Sequence, residues 1–142
     1  MSQQFPRISL WRPRSLASDS TGYHIAADPT GYSKLSATLL HYQHANQLLR
    51  THFELTPPPP GMLSAGEKTS GVIFQLLELV TDPAFTPAHL VFTEDRGRCT
   101  IEFSKPMASA AYLAVDGLLR GTGGDQLRST NATLVFWEYP TD

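Results

Sequence analysis

Three histidines crowd one short stretch of this chain, at His41, His44 and His52. Imidazole is the side chain best suited to metal ligation and to proton transfer near neutral pH. On a continuous helix, at about 100° per residue, His41 and His52 point within about 20° of each other, with His44 about 60° to one side. An i, i+3 pair such as His41 and His44 can hold zinc, but a catalytic metal needs a third protein ligand. No acid lies on this face, and His52 is about 16 Å from His41 by helix rise. No metal and no cofactor is therefore expected. The same face carries Leu48, with Tyr42 and Ala45 at its margin, and reads as a semi-polar contact surface. For a small enzyme or ligand binder, His24, His89 or Tyr23 would have to meet His41 and His44 in a cleft.

Other chemical hints are weaker. Residues 1–18 carry Arg7, Arg12 and Arg14 around Trp11 and no acid, whereas nine acids face five bases from Gly71 onward. The basic start suits an anionic partner surface. The net charge of −2 and the thin basic-aromatic interleaving argue against nucleic acid. Cys99 lies beside Arg96 and Arg98, which would favour a thiolate, yet it alternates in phase with Ile101 and Phe103, as a buried thiol does. The Gly61–Thr69 segment imitates a phosphate-binding loop, but Glu67 puts negative charge in the cradle and no strand precedes it. Gly61–Gly66 has one residue too many for a nucleophile elbow. The loop Gly121–Asp125 follows a helix instead of opening one, so no helix dipole faces an anion there.

These residues need elements to hold them. A chain of 142 residues, 41% hydrophobic and 17% charged, fits one globular domain spanning 1–142. A single cysteine excludes an intramolecular disulfide and suits a reducing compartment. No secretory signal and no long apolar run is read, so the expected location is the cytoplasm, without membrane association. Arginine predominates over lysine, with frequent Pro and Ala, a composition that suits a GC-rich bacterial genome.

Along the chain, residues 5–11 read as a strand with Ile8 and Leu10 on one face. Residues 12–31 read as a loop in which two Thr-Gly-Tyr turns present Tyr23 and Tyr32. Leu35, Leu39, Tyr42, Asn46, Leu49 and Phe53 then step by four and three, which predicts a long helix from Ser33 to Glu54. Pro57–Pro60 stop it within a Pro-rich linker at 55–66. A second helix is predicted over Glu67–Val80. A hairpin at 88–94 and 98–104 turns through Glu94–Gly97, with Gly97 free to adopt positive φ. A third helix begins at Pro106 and ends at Gly121, and a strand covers Ala132–Tyr139.

The predicted order is β-α-α-β-β-α-β: an α+β two-layer sandwich with a four-stranded mixed or antiparallel sheet and three helices on one face. Residues 98–139 would form a crossover within that sheet. The expected function is a non-catalytic protein-binding module, a bacterial immunity protein that neutralises a toxin or an adaptor. Its contact residues would be His41, His44, Leu48, His52, Arg7, Trp11, Arg12 and Arg14, its partner another protein, with homo-oligomers allowed. The alternative is the small enzyme or ligand binder built on the helix histidines.

Overall fold

The first helix starts at Asp28-Pro29, ahead of the predicted cap at Ser33. The computed structural model, which describes residues 6–13, 22–58, 71–121, 126–128 and 133–138, places α1 at Pro29–Gln43. The Asp28 carboxylate accepts the Gly31 N–H at 2.7 Å, and proline in the first turn forfeits no helical hydrogen bond. Tyr32, Leu35, Leu39 and Tyr42 form its buried stripe, as the first half of the predicted pattern requires.

The second half of that helix is a strand. After His44 and the exposed Asn46 and Gln47, β3 runs Leu49–Glu54 with alternating partial burial and exposure. Leu49 and Phe53 are four residues apart, a spacing that satisfies a helical turn and a two-residue strand period equally well. His52 therefore leaves the helix altogether.

Two further expectations change for related reasons. The predicted helix Glu67–Val80 is replaced, over its described part, by β4 (Gly71–Ile73) and β5 (Leu76–Thr81). Leu77–Thr81 is buried throughout. Leu77 and Leu79 join the core, and on the other face Glu78 and Val80 are flanked by the side chains of neighbouring strands at His52, Arg50, Thr100 and Glu102. A run covered on both sides mimics a helix pattern. The predicted loop 12–31 contains β2 (Tyr23–Ala27), a short strand with small Ala26 and Ala27 at its end. Tyr23 thus opens a strand and Tyr32 lies in α1, neither on a turn. Of the Pro-rich linker, 55–58 is described: Leu55 bonds Gln75, Thr56 bonds Ile8, and Pro58 is buried.

In the C-terminal half the hairpin, the helix and the last strand follow the prediction, whereas the strand at Gln126–Arg128 has no counterpart in it. β6 (Leu90–Asp95) and β7 (Arg98–Phe103) form an antiparallel hairpin joined by Arg96 (φ 50°) and Gly97 (φ 84°). Two successive positive φ values define the turn whose twist matches a two-residue hairpin. α2 covers Lys105–Leu119. Ser104 caps it by accepting the Met107 N–H at 3.1 Å, and its buried Ala108, Ala111 and Ala114 let it pack closely along α1. Together with β1 (Ile8–Pro13), β8 (Gln126–Arg128) and β9 (Thr133–Glu138), this gives the order β-β-α-β-β-β-β-β-α-β-β.

The class is α+β; the described residues hold two helices and two mixed sheets, where three helices and a single four-stranded sheet are expected from the sequence. The five-stranded sheet has the order β4-β1-β2-β9-β8 and the four-stranded sheet β3-β5-β7-β6. β7 and β9 lie in different sheets, so α2 makes no crossover within one sheet. The parallel pairs are β2–β9 and β5–β7.

This topology contains one arrangement twice, with exchange of strands between the sheets. Leaving β4 aside, β1-β2-α1-β3-β5 and β6-β7-α2-β8-β9 repeat one another, and each unit's hairpin shares a sheet with the other unit's last two strands. The buried helix residues keep step, with one interval separating Tyr32 from Ala108, Leu35 from Ala111, Leu39 from Val115 and Tyr42 from Leu118. The residue after each hairpin caps the following helix and donates its N–H to the residue before that hairpin, Asp28 to Arg7 and Ser104 to His89, both at 3.0 Å. Both units bury their apolar faces in one core. A void of about 10 Å³ lies at its centre between Leu35, Leu39, Ile101 and Phe136, room for about one water.

Candidate functional site

The histidine cluster predicted on one helix is dispersed. His41 and His44 lie exposed at the end of α1. Leu48, 45% exposed, stands in the turn before β3. His52 projects from β3 and reaches the Glu78 carboxylate at 3.0 Å. Among the described residues no group of three or more His, Cys, Asp or Glu side chains gathers as a metal site.

The arginine stretch divides as well. Arg7 is exposed, as a contact residue must be. Trp11 is 1% exposed and cannot be a direct contact, because the i, i+2 alternation that turns Ile8 and Leu10 into the core leaves Trp11 on the opposite face, which is also covered. Arg12 is engaged within the protein: its Nη2 donates to Glu94 Oε1 at 2.9 Å and its Nε donates to Oε2. Arg14 lies outside the described residues, as do the phosphate-loop-like 61–69 segment and residues 122–125.

Arg12 and Glu94 belong to a clamp between the two sheets. The Tyr23 hydroxyl donates to Glu94 Oε2 at 2.6 Å, and its ring stacks on Phe92 with centroids 4.1 Å apart. The Arg12 hydrogen bonds hold the Glu94 carboxyl below the usual carboxylate range. Burial, then Glu94, keeps the Tyr23 phenol well above its ordinary value. Cys99, opposite Glu94 in the hairpin, is fully buried and its thiol is pushed up to about 12 by burial. A thiol so placed is neither nucleophile nor ligand at neutral pH.

A second polar group occupies the outer face of the four-stranded sheet. Glu78, 7% exposed, accepts the Thr100 hydroxyl at 3.0 Å and lies 3.0 Å from His52 and 3.6 Å from Arg50. His89 contacts Glu102 at 2.8 Å and stacks on Phe85. The strand registers set Thr100 beside Glu78, and Glu102 beside Val80 one step along the face. The two histidines sit at opposite corners, two rows and three strands apart, roughly 19 Å by strand spacings. Each carboxylate therefore holds its own histidine. Glu78 was hidden in the sequence by the helical reading of 67–80.

A third arrangement presents an aromatic surface. Trp137 on β9 is 44% exposed and its Nε1–H donates to His24 Nδ1 at 3.1 Å. The His24 ring stacks on Trp11, with centroids 5.6 Å apart and planes 16° from parallel. Three adjacent strands thus carry an indole–imidazole–indole ladder, buried at Trp11 and open at Trp137. The sequence contains this only as a tryptophan in a dense strand, because the pairing of β9 beside β2 has no local signal.

No protein-family model matches the chain, and no curated protein or solved structure is similar to it. No described helix is long and apolar enough to cross a membrane.

Proposed function

We propose that the chain is a non-catalytic protein-binding module of the bacterial cytoplasm, in the class of toxin-neutralising immunity proteins and small adaptors. The observation that carries this reading is Trp137. Tryptophan dominates the energetic centres of protein interfaces. This one is half-exposed yet fixed by its bond to His24, whose own ring stacks on Trp11. A ring already held in place loses little freedom on docking. Leu40, His41, His44 and Leu48 add a second exposed strip at the end of α1.

The test is affinity capture of a partner by the wild-type chain, followed by titration of that partner against Trp137→Ala. The expected loss is about 30-fold or more, the scale of an interface hot spot. An unchanged affinity rejects the Trp137 surface.

A second reading, a small ligand binder, is favoured by the His52–Glu78–Thr100 group, since a carboxylate-held imidazole is oriented for proton transfer. In that group the Thr100 hydroxyl donates to Glu78 and not to His52, so the carboxylate is a structural hub and no nucleophile–base pair forms. Perturbation of the His52 ring resonances by a panel of anionic metabolites would support this second reading.

A further inference from the structure

The edges of the five-stranded sheet are the three-residue strands β4 and β8, whereas the four-stranded sheet ends in β3 and β6, six residues each. Long edges are where chains add strands. The backbone at the end of β3 fixes which groups face outward. Leu55 N–H donates to the Gln75 carbonyl on the β5 side at 3.0 Å, and Thr56 N–H turns the other way to the Ile8 carbonyl at 2.8 Å. Backbone groups alternate sides along a strand, so Glu54, His52 and Arg50 direct their N–H and C=O groups away from β5. Among the described residues no hydrogen bond outside the β3–β5 ladder reaches them. Their side chains are exposed, while Leu49, Phe53 and Leu55 are only partly buried at the margin of the core.

We propose that β3 is a homodimer interface, with two copies of this chain joined antiparallel along β3 and His52 opposite His52 of the second copy. Only registers that face outward-directed residues toward each other are allowed. Centring on His52 uses all three, and sets Arg50 across from Glu54 of the second copy twice by symmetry. On the inner face Leu49 then lies opposite Leu55 and Thr51 opposite Phe53, which covers the apolar margin. The ladder ends at Leu55, one residue before Thr56, whose outward N–H already belongs to Ile8. The neighbouring register, Arg50 opposite His52, loses both ion pairs and sets Leu48 against Glu54. β6 has no such self-match: Glu94 and Asp95 supply its only charges, and Glu94 is held by Arg12.

The test joins sedimentation equilibrium of the full chain to a symmetric crosslink. The native Cys99 is fully buried, so a thiol introduced by His52→Cys is the accessible one. Facing residues in an antiparallel ladder lie about 5.5 Å apart between Cα atoms, within disulfide range. The expected results are a reversible dimer of the wild-type chain, and a disulfide-linked dimer of His52→Cys on treatment with oxidised glutathione. Arg50→Cys, about 13 Å or more from its counterpart, should stay unlinked. Glu54→Arg should weaken association about tenfold or more by setting like charges opposite, and Arg50→Glu/Glu54→Arg should recover it. A chain monomeric at every concentration, equal crosslinking at positions 50 and 52, or no recovery in the double variant overturns the proposal.

Discussion

Arg12 and Glu94 hold the same place in two different hairpins, and they bond each other. Each is the fifth residue of its strand, counted from Ile8 in β1 and Leu90 in β6. Ile8 and Leu90 each pair with the last residue of their hairpin, Ala27 and Phe103. The clamp between the sheets is thus formed by matching positions of the repeated unit, which carry opposite charge.

This pairing sets an acid limb for stability. In the folded chain the Glu94 carboxyl is held below its ordinary value, chiefly by Arg12. Its contribution is full above the unfolded carboxylate value and is lost as pH falls through the depressed folded value. Urea unfolding should show Glu94→Gln about 1–2 kcal/mol less stable at pH 7, with the difference shrinking at pH 3. A difference that does not depend on pH would contradict the linkage.

Gly31 should reverse the usual helix propensity rule. Alanine normally stabilises a helical glycine position by about 1 kcal/mol. A Cβ here would lie 2.6 Å from the Arg7 carbonyl oxygen and 2.9 Å from Ile8, so Gly31→Ala should lower the thermal midpoint. A raised midpoint would show that α1 does not pack this closely on the first hairpin.

Leu39 lies 2% exposed beside the central void. Truncation enlarges that void, and Leu39→Ala should cost about 2–5 kcal/mol by chemical denaturation. Leu40→Ala, on the neighbouring exposed position, should cost well under 1 kcal/mol. Equal losses would place the stripe of α1 elsewhere.

Cys99 should resist alkylation by iodoacetamide in the native chain at pH 8 and react fully in denaturant, since the thiol is buried and its ionisation suppressed. Rapid native labelling would mean that the core opens between the hairpin and α1.

What the sequence disclosed depended on whether local period and tertiary role agreed. The hairpin at Leu90–Phe103 and the helix after it were legible because Arg96-Gly97, Ser104 and Pro106 act locally. The region Ala45–Thr81 was not. Leu49 and Phe53 fit both periods, and β5 is buried along nearly its whole length, so its apolar run shows no two-residue alternation. Strand β2 was hidden among turn-forming neighbours, and with it the role of Tyr23 in the clamp. Of the expected contact residues, His41, His44, Leu48, His52 and Arg7 are at the surface, whereas Trp11 and Arg12 serve the interior. Trp137 came to light only through the β2–β9 pairing, which joins residues more than a hundred positions apart.

The most direct measurement of the central claim is site-specific photocrosslinking from the exposed Gln126, which lies opposite Val135 on the face that carries Trp137, in cells that make the protein, with a crosslinker at the exposed Lys34 as the comparison. A protein-binding module anchored at Trp137 should give one discrete adduct of defined mass at 126, lost in Trp137→Ala, and none at 34. No adduct at 126, an adduct that persists in Trp137→Ala, or the same diffuse adducts at both positions would contradict it.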